Sequence, residues 1–231
     1  MTSRASLYLL LLLPCTIVAQ EASTPHMVRA SGDATVTTKP DQAQISIGVV
    51  TDAHTAAEAS AQNAQQTSAA LTAIKNSLGG HGEVKTAGYS ISPQYDYSAG
   101  HAPRLTGYQA RNTVLVTVND LSLTGKVVDA ATGAGANNID GISFSLKDDS
   151  AVRAEALAQA ATKARANGEA IAKALGLHVV GVLRADTEQA PLVRPMPMAR
   201  MVMAAEKAPQ TPIEPGTLDI HATVIVTLQV Q

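Results

Sequence analysis

Sulfur and aromatic rings are scarce in this chain. Its 231 residues include one Cys, one Phe, five Tyr and no Trp. The one Cys, Cys15, sits in an N-terminal segment that reads as a leader. Once that leader is removed, no Cys is left, which excludes a disulfide, a thiolate nucleophile and a Cys metal site in the mature protein. Its stability must then come from burial and strand pairing. Charge of one sign is also missing, since 17 Lys and Arg offset 19 Asp and Glu without a long run of either. That balance excludes the basic footprint of a nucleic-acid binder and a polybasic membrane patch.

Familiar catalytic signatures are absent as well. There is no HExxH, no GxSxG elbow and no Walker lysine loop. No two of the six His (His26, His54, His81, His101, His178, His221) have the spacing of metal ligands on one helix. The stretch TGAGANNIDG follows a helix and leads into a strand, the reverse of a dinucleotide fingerprint, and reads as a helix end and turn. The adjacent carboxylates Asp148 and Asp149 stand where a helix begins and read as a cap, with Asp149 or Ser150 at the cap position. The sequence therefore predicts no enzyme, no catalytic residue and no cofactor.

The apolar run Leu7–Leu13, behind Arg4, is too short to span a bilayer. It reads as the core of a signal peptide over 1–19 ending at Ala19, with a short linker over 20–25 and a single domain over 26–231. Export to the periplasm follows, with no transmembrane segment in the mature chain. Two alternatives stay open, secretion and a lipid anchor on Cys15, although Pro14 stands where a lipid signal wants a small residue.

What is present is alternation. Ala43–Val49, Thr113–Val118, Ile142–Leu146 and Thr223–Val230 each place apolar residues at every second position, and a further strand is expected over Met27–Thr37. One apolar and one polar face suit a mainly antiparallel sheet. Helical periodicity fills the gaps. His54–Leu78 carries a stripe of Ala64, Thr67, Leu71, Ile74 and Leu78, and Gly79-Gly80 stops it. Leu121–Ala134 is shorter, with Leu123, Val127, Ala131 and Ala134 on one face. A third helix runs to about Leu175 with a stripe of Leu157, Ala161, Ala164, Gly168, Ile171 and Leu175. The expected class is α+β: two βαββ-type units, mainly antiparallel, with helices packed on one face and the short helix joining the units.

Two local anomalies remain. YSISPQYDY, residues 89–97, holds Tyr89, Tyr95 and Tyr97, and Tyr108 follows closely. It reads as an edge strand whose pairing Pro93 interrupts. Its tyrosines either pack the sheet, contact another subunit or stack on a ligand. The second anomaly lies in the proline-rich excursion 189–216, where Met196, Met198, Met201 and Met203 cluster. Thioethers suit Cu(I), and Met oxidises reversibly, so soft-metal or oxidant-responsive binding stands beside a plain adaptable apolar loop.

Several stretches in order, YSISPQYDY, TGYQARNTVLVTVNDL, GANNIDGISFSLKD, AEALAQAATKARANGEAIAKALG and PIEPGTLDIHATVIVTLQV, resemble the SIMPL-domain family. The resemblance runs over roughly 26–231. It implies an envelope location, an α+β fold, self-assembly into a homo-oligomer, other envelope proteins as further partners, and a link to oxidative-stress defence. It implies no enzyme activity and no catalytic residues.

Overall fold

Strand alternation organises the molecule into two antiparallel sheets, each with helices on one face. The computed structural model describes residues 26–97, 102–188 and 211–231, and the backbone alone of 193–196. The elements are β1 (Met27–Thr38), β2 (Gln42–Ala53), α1 (Ala56–Leu78), β3 (Gly82–Asp96), β4 (Arg104–Val118), a 3₁₀ turn at Leu121–Leu123, α2 (Thr124–Gly133), β5 (Asn138–Ser145), α3 (Ser150–Ala174), β6 (Val179–Thr187), β7 (Val193–Met196) and β8 (Thr217–Val230). The signal peptide and Cys15 lie outside the described residues.

One sheet has the order β3-β4-β2-β5 and is covered by α1 and α2. Its core is Ile45, Ile47 and Val49 of β2 against Val114, Val116 and Val118 of β4, closed by Ile74 and Leu78 of α1 and Val127 of α2. The other sheet has the order β1-β8-β6 under α3, with β7 also paired to β8. Every second residue of β8 from Leu218 to Val230 is buried, as its alternation predicts. β7 pairs with Thr217–Ile220, ahead of the Val224–Val230 stretch that β6 takes. Pro195 is tolerated there because, among the described residues, β7 is paired on one side only, by β8.

The α+β class and the antiparallel sheets are as predicted, but the strands are shared differently. β5 pairs with β2, matching Ile142 to Ile45 and Phe144 to Ala43, and so completes the first sheet. β1 takes its place in the second sheet and pairs with β8 from Met27–Gln229 to Thr38–Leu218. The cause is connection length. After α2 only a few residues remain before β5, and they return the chain to the open edge of β2. The short helix thus joins two strands of one sheet and packs against α1 instead of bridging two units.

The helix ends follow local chemistry. Thr55 and Glu58 form a reciprocal capping box at the start of α1, and Gly79 closes it in the left-handed region at φ 54°. At α3 the cap differs from expectation. Asp149 makes no cap bond and pairs with Arg153, whereas Asp148 accepts from the Ser150 N–H at 2.9 Å. The Ser150 side chain and N–H together hold the Asp148 carboxyl below its usual range, as the Ser122 side chain and N–H do for Asp120 ahead of α2.

The α3 stripe is also rotated from its predicted position. Ala156, Ala160, Ala164, Gly168 and Ala172 face the sheet, whereas Ile171 and Leu175 are exposed. Small residues win the inner face because the helix lies almost on the backbone of β1. In α1, Asn63 takes the inward place expected for Ala64.

Past Asn138 the ladder between β5 and β2 is continued by a side chain. The Asn137 amide donates to the Val50 carbonyl at 2.7 Å and accepts from the Val50 N–H at 2.8 Å. Asn137→Ala should cost about 1 kcal/mol, since both groups can turn to water instead. Amide exchange at Val50 should quicken selectively, and unchanged exchange there would refute the pairing role.

Candidate interaction surface

Among the described residues β3 is an edge strand, bound only to β4. Tyr89 lies opposite Asn112, Ile91 opposite Ala110, and Pro93 opposite Tyr108. Ala110 is fully buried on the helix side of the sheet, so Tyr89, Ile91 and Pro93 share that side. Register slips after Gln94 because β4 carries the extra residue Thr106, so β3 keeps its own alternation and Tyr95 stays in line with them. Contrary to expectation, Pro93 does not interrupt the pairing with β4, which runs through it. A proline fits such a ladder only with its nitrogen turned away from the partner, so it blunts the outer edge of β3.

The helix side of β3 is only partly covered. The Tyr89 hydroxyl meets Ser60 Oγ of α1 at 2.8 Å, yet the residue is 51% exposed. Ile91, Tyr95 and Leu105 are exposed too, and Tyr97 is 74% exposed. Tyr95 and Tyr97 make a tilted ring contact, centroids 6.2 Å apart at 55°. β2 ends at Ala53 opposite Tyr108, with Gly107 still against the Ala53 carbonyl, so among the described residues Arg104–Thr106 lie beside β3 only and this end of the hairpin runs past β2. The structure thus brings Tyr95, Tyr97 and Tyr108 toward one end of the hairpin, with Tyr89 at mid-strand on the same side as Tyr95. Tyr89, Tyr95 and Tyr97 do not fill a core; Tyr108 is half-buried.

Beside this stripe lies a cleft of about 580 Å³ lined by Asp52, His54, Glu58, Gln62, Thr106 and Tyr108. Asp52 accepts from the Gln109 amide at 3.0 Å, and Glu58 is held in its capping box. Among the described residues no three His, Cys, Asp or Glu side chains are grouped to hold a metal ion. Of the Met cluster, Met196 has its backbone in β7, and its side chain and Met198, Met201 and Met203 lie outside the described residues.

Sequence reasoning missed a second exposed apolar area on β6, where Val180, Val182 and Leu183 are each about half exposed or more. The signal was the run Val179-Val180-Gly181-Val182-Leu183, which lacks the polar alternation that a half-covered edge strand usually shows.

No helix among the described residues is long and apolar enough to cross a membrane. The chain is similar to the 26 kDa periplasmic immunogenic protein of Brucella melitensis, 27% identical over 220 residues that cover 92% of this chain and 88% of the relative. It is also similar to the uncharacterized protein YggE of Edwardsiella ictaluri, 28% identical over 193 residues covering 84% and 80%. YggE of Escherichia coli strain K12 is 29% identical over 211 residues covering 90% and 84%. Residues 28–228 match the SIMPL family, described as proteins of unknown function (DUF541). With nearly the whole described fold inside that match, the chain belongs to the SIMPL family.

Proposed function

We propose that this is an exported, non-enzymatic protein of the periplasm that works by self-association through the tyrosine-bearing end of the β3–β4 hairpin. The observation that carries the reading is the exposed stripe of Tyr89, Ile91, Tyr95, Tyr97 and Leu105 on a projecting hairpin. Contiguous exposed apolar side chains mark interaction sites, and Tyr gives large contact area at small entropic cost. Exposing Tyr89, Tyr95 and Tyr97 along β3 uses half of the chain's six aromatic residues on a surface. The location rests on the leader-like sequence and on the relative named periplasmic. A role in envelope stress defence is part of the proposal and rests on family resemblance alone.

The test is absolute mass in solution, by light scattering, of the chain starting at Gln20. Wild type should run as a discrete multiple of the protomer. The triple variant Tyr89→Ser, Tyr95→Ser, Tyr97→Ser should fall to a monomer, with association weakened on the order of 10³-fold if even two of these residues behave as interface anchors. A wild-type monomer at high concentration would overturn the reading.

A further inference from the structure

The assembly reading leaves open what the tyrosine stripe docks against. We infer that it docks head to tail, into the groove between α3 and β6 of a second copy of this chain. This inference rests on the proposed self-association and goes beyond it by naming the receiving surface.

Among the described residues, α3 lies over β1 and β8 and leaves the helix side of β6 beyond Val179 uncovered. Val182 shows this most directly. It sits opposite Leu228, which is wholly buried under α3, yet Val182 is 52% exposed. The result is an open groove of about 650 Å³. Ala172, Leu177 and Val182 give it an apolar lining, and Arg165, Glu169 and Lys173 of α3 stand along one wall. Arg165 and Glu169 neutralise each other at 2.8 Å, so Lys173 leaves the wall with positive charge.

Three features match this groove to the tyrosine end of another copy. The first is the match of lining: an apolar hairpin end that runs past β2 can enter the groove beside β6, which Ala172, Leu177 and Val182 make apolar, whereas the cleft beside the tyrosines is lined mostly by the polar Asp52, His54, Glu58, Gln62 and Thr106. The second is charge, because the cleft beside the tyrosines carries Asp52 and Glu58. Acidic cleft and basic wall are complementary, whereas two tyrosine ends brought together would face Asp52 and Glu58 with their like. The third is the blunted edge of β3. With Pro93 in place, edge-to-edge strand addition is disfavoured, so association must use the side-chain face. Two different patches on one chain make a heterologous contact, which propagates from copy to copy until it closes.

Complementation tests the pairing. The variant Lys173→Glu, Val182→Glu spoils the groove, and Tyr95→Ser, Tyr97→Ser spoils the hairpin. All four positions are on the surface, and circular dichroism and thermal unfolding check that both chains fold. Each variant alone should be monomeric, with association weakened on the order of 10²-fold or more. Mixed in equal amounts, they should form a dimer and stop there, because one intact hairpin and one intact groove remain per pair. Lys173→Glu alone, which leaves β6 untouched, should weaken assembly in the same direction. If the groove variants keep the wild-type mass while the tyrosine variant is monomeric, self-association stands and the groove is not its receptor; the tyrosine ends then meet each other. A monomeric wild type would instead remove the assembly reading itself.

Discussion

Gly32→Ala should lower the melting temperature by about 10 °C. A Cβ on Gly32 would stand 2.2 Å from Ala164 N and 2.5 Å from Ala160 O, both backbone atoms of α3. A flexible side chain could swing away from such a contact, but a helix backbone cannot. To admit one methyl group, α3 must lift off β1. That opens gaps along the whole row of Ala156, Ala160, Ala164, Gly168 and Ala172, whose small side chains touch the sheet only at the present distance. Overpacking a core usually costs 1–3 kcal/mol, and a backbone obstacle with secondary gaps places this site at roughly 3–5 kcal/mol. At about 2–4 °C per kcal/mol for a chain of this size, the expected shift follows. Gly88→Ala is the matched control, since a Cβ there meets nothing within 4 Å and its φ is not positive. It should change stability by less than about 1 kcal/mol, with gain as the expected sign. A Gly32→Ala chain as stable as the Gly88→Ala chain would refute the close approach of α3 to β1.

That close approach explains which parts of the fold were legible in the sequence. Strand alternation in Ala43–Val49 and Thr223–Val230 marked the two central strands, because a period of two is imposed by the pleat itself. The extents of α1 and α3 were legible from their caps and breakers. The facing of α3 was not, because periodicity arguments assume that large apolar residues point inward. Here the inner surface admits only Ala and Gly, and Ile171 and Leu175 are turned out. The partner of β5 was likewise hidden. Its alternation suits either sheet, and the choice was made by the short return from α2, which no pattern within β5 encodes. At the candidate surface the tyrosine concentration was visible as composition. Its exposure was not, since that depends on where α1 stops covering β3. The groove beside β6 was missed for the same reason.

Asn63→Asp should be the most damaging isosteric change in the first layer, and its effect should depend on pH. Asn63 is fully buried between α1 and the sheet. Its Nδ2 donates to the Val49 carbonyl at 2.8 Å and to the Ala110 carbonyl at 3.1 Å, so one amide ties the helix to β2 and β4 together. Its Oδ1 accepts from Thr67 Oγ1 at 3.4 Å. These two carbonyl partners settle which end of the amide is nitrogen. An Asp at this position would turn a carboxylate oxygen toward two carbonyl oxygens in a buried site. Desolvation and this repulsion both disfavour the charged form, so the folded-state pKa rises, by about 3–5 units at comparable buried sites. The sign follows from proton binding. The folded variant holds a proton that the unfolded chain releases above about pH 4, so the variant loses stability relative to wild type as pH rises through that value. Near pH 7 the extra loss amounts to about 4 kcal/mol, at 1.36 kcal/mol per unit. Below pH 4 the neutral acid can still donate to one carbonyl, and only the other is orphaned, at about 1–3 kcal/mol. Denaturant unfolding of variant and wild type at pH 3.5 and pH 7 measures the two gaps. A gap that is equal at both values, or wider in acid, would mean that Asn63 does not hold those carbonyls in a closed, dry seam.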